Sequence, residues 1–358
     1  MKNTHFYLII LIILFNVLGC GQNKSQSNNR IEKLGDYVSK DTIQAAVIAI
    51  ETSGIPCVAY NTDNATHSIA VMHYSDKTWS SIGKPGIYFG SVCAMTIDEN
   101  NNIYTAFRDK TSDYKLTIAK YDGTNWSSLG QLNIDGMVIY GNKMSMSIDK
   151  NGILYVAFTT SIGQVCGPAY VMAYSNSNWA TVGKFADDGF LTCRMAMDSS
   201  NTPYVICCGY SKGIVVMKYN NANWTTIGGR WNSACHDGFI CLDAHGTPYI
   251  VYHDDGKFIT VQKYNGNATW STIGPPQSIL MGGNGGTCYG IVAPKIGYPM
   301  VIYSDNTGHL IQYDGTSWNS IVTQINASSG ALVLDKSNTP YVFLPDNAFR
   351  LIVGKIIN

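Results

Sequence analysis

The chain has 358 residues, 45% of them hydrophobic, with 24 basic and 24 acidic side chains and no net charge. A balanced charge with no basic stripe excludes a nucleic-acid-binding surface. From residue 31 onward no linker-like composition break occurs, which excludes a string of small independent domains and leaves one large one.

The first element is a leader. Lys2 precedes an apolar run from Phe6 to Phe15, which is followed by Val17-Leu18-Gly19-Cys20. An apolar core of about ten residues is too short to span a bilayer and fits a secretory signal peptide over residues 1–19. The last four residues resemble a bacterial lipobox. That resemblance implies cleavage before Cys20 and attachment of lipid, palmitate included, to that cysteine. Residues 20–29 are polar beyond Gly21 and read as a flexible tether from the lipidated Cys20. Two acyl chains there would anchor the domain firmly to a membrane, one only weakly. Gly21 stands where an Asp would resemble an inner-membrane retention signal. An outer-membrane lipoprotein of the cell envelope is therefore expected, on its periplasmic or its surface side.

Residues 30–358 are built from a repeat whose clearest copy runs from Met95 to Gly130. Runs rich in β-branched and aromatic residues, such as Ile103-Tyr104-Thr105-Ala106-Phe107, alternate with Asn-rich and Asp-Gly turns, the pattern of antiparallel hairpins. An acidic residue recurs five places before Pro or an aliphatic at Glu51, Asp98, Asp149, Asp198, Asp243 and Asp335, and Pro294 keeps the spacing without the acid. A Tyr stands five or six residues before each of Trp79, Trp126, Trp179, Trp224, Trp270 and Trp318. All but the last of these Trp lead into an aliphatic-Gly pair such as Ile82-Gly83.

The Trp recur every 45–53 residues, a period of radial or stacked repeats. The seventh copy ends without its Trp strand. Arg30-Ile31-Glu32-Lys33-Leu34-Gly35 carries a Leu-Gly like the aliphatic-Gly pairs, so the missing strand is expected from the N-terminus. These features resemble β-propeller repeats. The expectation is an all-β, seven-bladed propeller of four-stranded antiparallel blades, the last blade closed by an N-terminal strand. The repeat lacks the paired Gly of kelch repeats and the Gly-His and Trp-Asp pairs of WD repeats, so the resemblance implies no functional subfamily.

Nine cysteines follow Cys20, an odd number. None has metal-knuckle spacing, and no metal or other cofactor is expected. Adjacent Cys207 and Cys208 leave opposite faces of one strand and do not bond each other. Cys193 with Cys235 is the expected disulfide.

Function is expected on the face holding the longer joins between blades. Those joins carry Tyr88, Phe89, Tyr140, Phe185, Trp231, His236 and Tyr289, which the repeat does not require. Trp231, beside Arg230 and His236, would suit a sugar ring, whose apolar face stacks while its hydroxyls take hydrogen bonds. Its alternative role is to plug a gap between blades. Arg108, Arg194 and Arg230, three of only five Arg, would clamp a carboxylate and resemble the sialidase arrangement. Asp122-Gly123-Thr124-Asn125-Trp126 faintly resembles that family's Asp-box. Against this, Glu32, Glu51 and Glu99 are the only Glu, and none is placed to partner a Tyr nucleophile.

Asp109, Asp254, Asp255 and Asp305, with His253, offer a hydrolase alternative that needs two carboxylates across a scissile bond. The six repeated acids either ring the lower face around a cation or support their own turns. No nucleophile elbow, His-Glu-x-x-His or phosphate loop occurs, so a catalytic residue is not assigned. The leading expectation is a non-catalytic, lipid-anchored propeller that acts as a monomer and binds a glycan or an envelope protein through Trp231, Arg230, His236, Arg194, Arg108, Tyr88 and Tyr289. A carbohydrate-active hydrolase and a structural subunit of an envelope complex are the alternatives.

Overall fold

Second strands such as Pro56–Thr62 and Pro203–Gly209 are buried along their whole length, and the others over most of it, because each sheet has a neighbour on both of its faces. The computed structural model describes residues 30–357 apart from short stretches at 63–66, 85–87, 135–136, 163–164, 186–188, 210–212, 221, 232–234, 255–257, 276–278, 281–286, 306, 326–329 and 347–349. The expected signal peptide and tether, Cys20 among them, lie outside the described residues.

Seven antiparallel sheets follow one another. Blade 1 runs from Ile43–Ile50 to Thr78–Ser81 and blade 2 from Gly90–Ile97 to Trp126–Leu132. Blade 3 runs from Val138–Ile148 to Asn178–Phe185 and blade 4 from Thr192–Met197 to Asn223–Trp231. Blade 5 runs from Cys235–Leu242 to Thr269–Thr272, and blade 6 from Thr287–Lys295 to Trp318–Ile325. Blade 7 takes Ala331–Leu334, Pro340–Pro345 and Leu351–Ile357 from the end of the chain and Arg30–Lys33 from its start. Arg30 pairs with Ile357 and Lys33 with Gly354, so the ring closes by strand exchange between the two ends, as the Leu34-Gly35 signal implied. The first strands touch in order around the axis, the seventh meeting the first.

The repeated acids terminate the innermost strands. Asp98 Oδ1 accepts the backbone N–H groups of Asn100 and Asn102, both at 2.9 Å, and Asp149, Asp198, Asp243 and Asp335 repeat the pattern. These five Asp therefore support their own turns, while Glu51 accepts from Ser53 Oγ and Cys57 Sγ, and among the described residues no His/Cys/Asp/Glu group is arranged to hold a metal ion. Blade 6 dispenses with the acid by pairing Lys295 directly with Tyr298 around Ile296-Gly297.

The core is distributed over the gaps between blades. Each repeated Trp donates its indole N–H to the carbonyl of the preceding blade's aliphatic-Gly pair: Trp126 to Ile82, Trp179 to Leu129, Trp224 to Val182, Trp270 to Ile227 and Trp318 to Ile273, at 2.9–3.2 Å. Trp79 makes the same bond to Leu34, at 2.9 Å, across the seam between blades 7 and 1. Glycine follows the carbonyl because the Nε1–Cδ1 edge of the indole abuts that backbone. A Cβ at Gly83 or Gly274 would sit 2.6 Å from the partner Trp Nε1. The gap between blades 6 and 7 has no Trp, and there Ile31 packs beside Ile321 and Val322, which explains why the sixth copy lacks its glycine.

Candidate functional site

The innermost strands surround an axial cavity of about 640 Å³. Its lowest tier is one apolar side chain per blade, three residues before the repeated acid or Pro294: Ile48, Met95, Met146, Met195, Ile240, Ile291 and Leu332. Above that tier the symmetry breaks. Blades 7, 1 and 2 contribute mainly Gly, Ala and Val, whereas blades 3 to 6 contribute Lys143, Arg194, Asp237, Phe239, Thr287 and Tyr289. The repeat needs only small residues here. Phe239 and Tyr289 also pack against the apolar clusters between blades 5 and 6 and between blades 6 and 7, so the charged Lys143, Arg194 and Asp237 are the side chains that apolar packing does not call for.

Arg194 is the centre of this cluster. Its Nη2 donates to Asp237 Oδ1 at 3.1 Å, and the two side chains are only 13% and 14% exposed. Asp237 Oδ1 also accepts the N–H of Gly238 at 3.1 Å, which fixes the carboxylate. The guanidinium carbon lies 3.9 Å from the centroid of Phe239, a cation–π contact that holds the fork flat against an aromatic wall. Arg194 Nε is buried without a hydrogen-bond partner. A buried donor left unpaired costs about 1–3 kcal/mol.

Burial pushes the Tyr289 phenol above its ordinary value, with Cys288 and Asp237 adding to the shift. Burial likewise pushes the Cys288 thiol up, to about 12. Both groups stay protonated at neutral pH, so neither is an activated nucleophile. Asp237 is the single carboxylate among the described residues lining the cavity. The site can take hydrogen bonds and negative charge from a ligand and offers it an aromatic face. Among the described lining residues Asp237 has no second acid beside it for a two-carboxylate displacement.

Of the sequence-predicted ligand residues whose side chains are described, Arg194 and Tyr289 line this cavity, and Trp231, Arg230, Arg108 and Tyr88 do not. Trp231 packs edge-on against Trp270, with centroids 5.6 Å apart and planes at 70°, and is the gap plug of the alternative reading. Tyr88 does the same for Trp126, at 6.3 Å and 88°. Phe185 does so for Trp224, at 5.1 Å and 82°. Arg108 donates to the carbonyl of Tyr114 and covers its ring on an outer loop. Arg230 is exposed, 5.9 Å from Phe190, beside a separate groove of about 450 Å³ between blades 3 and 4. The three Arg therefore do not converge into a clamp, because only Arg194 is on an innermost strand. The side chain of His236 lies outside the described residues, as do Asp255 and the side chains of Asp254 and Tyr140.

Asp109 caps a turn through Thr111, and Asp305 pairs with His309 at 2.7 Å. Both acids are occupied locally. The expected Cys193–Cys235 disulfide is not the pairing the fold offers: Cys193 Sγ lies 3.2 Å from Cys207, Cys235 contacts Cys208, and all four are free thiols. The reason is register, since Cys193 stands directly opposite Cys207.

Lys143, Asp237 and Phe239 were missed in the sequence. Aligning the repeats on the acid, or on Pro294, exposes Lys143 and Asp237 six residues before it, where other copies have Ala45, Val92, Thr192 and Cys288, and sets Arg194 and Phe239 apart in a second column. Four residues before it the column reads Val47, Ala94, Ser145, Arg194, Phe239, Gly290 and Ala331, with one charged member.

No protein-family model matches the chain, and no curated protein matches it. Solved structures match over most of its length. The SapL1 lectin in complex with α-methyl fucoside is 14% identical with a TM-score of 0.53, covering 80% of this chain and 99% of the lectin. An ulvan-degrading polysaccharide lyase is 14% identical with a TM-score of 0.55, covering 92% and 93%. YCF48 bound to a peptide is 8% identical with a TM-score of 0.56, covering 93% and 97%. At these identities the likeness is one of fold, a seven-bladed β-propeller.

Proposed function

We propose that this chain is a non-catalytic, ligand-binding propeller of a bacterial cell envelope, held by a lipid on Cys20, and that it takes a glycan in its axial cavity. The observation that carries the reading is the one-sided placement of Arg194, Asp237, Phe239 and Tyr289 in a channel lined elsewhere mainly by apolar residues. A guanidinium held on an aromatic wall beside a protonated phenol suits a sugar that brings both ring faces and hydroxyl or carboxylate oxygens. Asp237, the one carboxylate among the described lining residues, is tied to Arg194, which supports binding rather than acid–base hydrolysis. The structural similarity to a fucoside-binding lectin agrees with this class.

The test is a glycan array on the full chain, repeated with Arg194→Gln. Losing a charge-assisted bond in a buried site is expected to weaken binding about 10- to 100-fold. Unchanged binding in that variant would move the ligand off the axis, and silence on every glycan would transfer the site to a peptide partner. Turnover of a bound glycan would overturn the non-catalytic reading. Palmitate labelling of the full chain, abolished by Cys20→Ser, checks the anchor.

A further inference from the structure

Four cysteines form a line across blade 4 into blade 5, and the glycan reading makes no use of them. Cys193, on Thr192–Met197, stands opposite Cys207 on Pro203–Gly209, with the two sulfurs 3.2 Å apart. Cβ atoms of directly opposed residues in an antiparallel pair lie about 4.5–5.5 Å apart, close to the separation a disulfide needs. Cys208 leaves the other face of the same strand and enters the gap toward blade 5. There it shares an apolar cluster with Cys235, the first residue of the blade 5 inner strand. A side chain at Gly238 would overlap the Cys208 sulfur, so blade 5 is cut back at this position to admit it. All four cysteines are fully buried.

We propose that in an oxidising compartment these thiols close as two disulfides, Cys193–Cys207 within blade 4 and Cys208–Cys235 between blades 4 and 5. For each bond two S–H bonds break and one S–S bond forms. Two protons and two electrons pass to a low-molecular-weight disulfide, which is cleaved to two thiols through a mixed-disulfide intermediate. Attack requires a thiolate. In the folded ring burial holds the Cys207 thiol protonated, and the hydrogen bond Cys235 makes to Cys208, with burial second, does the same for Cys235. Exchange therefore belongs to the folding chain, before blades 3 and 5 cover blade 4. Once made, the bonds are out of reach of a reductant. The second bond closes a loop that contains Arg230 and Trp231 and pins that segment to the ring.

The experiment takes the exported full chain, unfolds it in denaturant with reductant, and refolds it with reduced and oxidised glutathione. Free thiols are then alkylated in denaturant and the chain is mapped by mass spectrometry. Cys57, Cys93, Cys166, Cys241 and Cys288 are expected to take the label, the other four only after reduction, with an intact mass lower by about 4 Da before alkylation. Cys207 and Cys208 share a peptide, so Cys193→Ala and Cys235→Ala resolve the pairing. Each variant should lose one bond, about 2 Da, and keep the other. Labelling of all nine cysteines in the refolded wild-type chain, or a Cys193–Cys235 linkage, would overturn the proposal. The wild-type measurement stands even if a variant fails to fold.

Discussion

A glycine and an indole decide how closely two blades approach, and the two demands on that glycine are separable. At Gly274 φ is +80° and a Cβ would meet Trp318 Nε1 at 2.6 Å, whereas at Gly266 φ is +79° with nothing within 4 Å. Backbone strain alone costs an alanine about 1 kcal/mol in this region, and overpacking adds about 1–3 kcal/mol. Gly274→Ala is therefore expected to lower the denaturant midpoint clearly more than Gly266→Ala at unchanged m-value, and equal shifts would remove the indole from the explanation. Turn carboxylates offer a second residue-level test. Asp314 accepts the N–H groups of Ser317 and Thr316, both at 2.8 Å, and these hold its carboxyl well below the usual carboxylate range. A depressed folded-state value stabilises above the unfolded pKa and is lost as pH falls through the folded one. Asp314→Asn should thus be less stable than the wild type at neutral pH, with the difference shrinking steadily below about pH 4. Solvent exposure of this turn keeps the difference small.

At the scale of single elements, the last strand of blade 4 shows why some residues were legible and others were not. Gly228-Gly229, at φ of +78° and +82°, carries the strand through a register shift, so that it runs on to Trp231 opposite Ile214 instead of ending at Ile227-Gly228. In the sequence, Arg230-Trp231 looked like a chemically mixed loop. In space it is strand, and the indole it ends on braces Trp270. The acid-to-Pro spacing, the Tyr-Trp pairs and the Leu34-Gly35 strand were readable because each is a local turn or a contact repeated in register from blade to blade. Arg194 and Asp237 meet across two blades at different heights of their strands, a relation no local spacing encodes. Removing the brace, Trp231→Ala, is expected to destabilise the domain by about 2 kcal/mol, less than for a fully buried Trp because the ring is half-exposed. It should leave ligand affinity within twofold. A large affinity loss with unchanged stability would return the ligand to that loop.

A ring has as many gaps as blades, and its weakest gap sets its integrity. Six gaps are latched by an indole on the preceding backbone, and the one between blades 6 and 7 is held by apolar packing that includes Ile31. The short stretch from Ile31 to Leu34 therefore serves two gaps at once: Ile31 fills one side of blade 7, and the Leu34 carbonyl takes the Trp79 latch on the other. Leu34 and Val38 N–H groups also donate to Val353 and Leu351, extending the pairing beyond Arg30–Lys33. A chain lacking residues 1–29 keeps all of this and is expected to melt at the temperature of the full chain. One lacking residues 1–38 loses the outer strand of blade 7, uncovers the hydrogen-bonding edge of Leu351–Ile357 and unlatches blade 1. An open edge of that kind pairs with another copy of itself. The longer truncation should thus melt many degrees lower and elute from size exclusion as dimers or larger species, and a synthetic peptide of residues 30–38 added in excess should restore both properties by mass action. If the longer truncation remained monomeric and equally stable, closure by the N-terminal strand would not be what holds the seven blades in a circle.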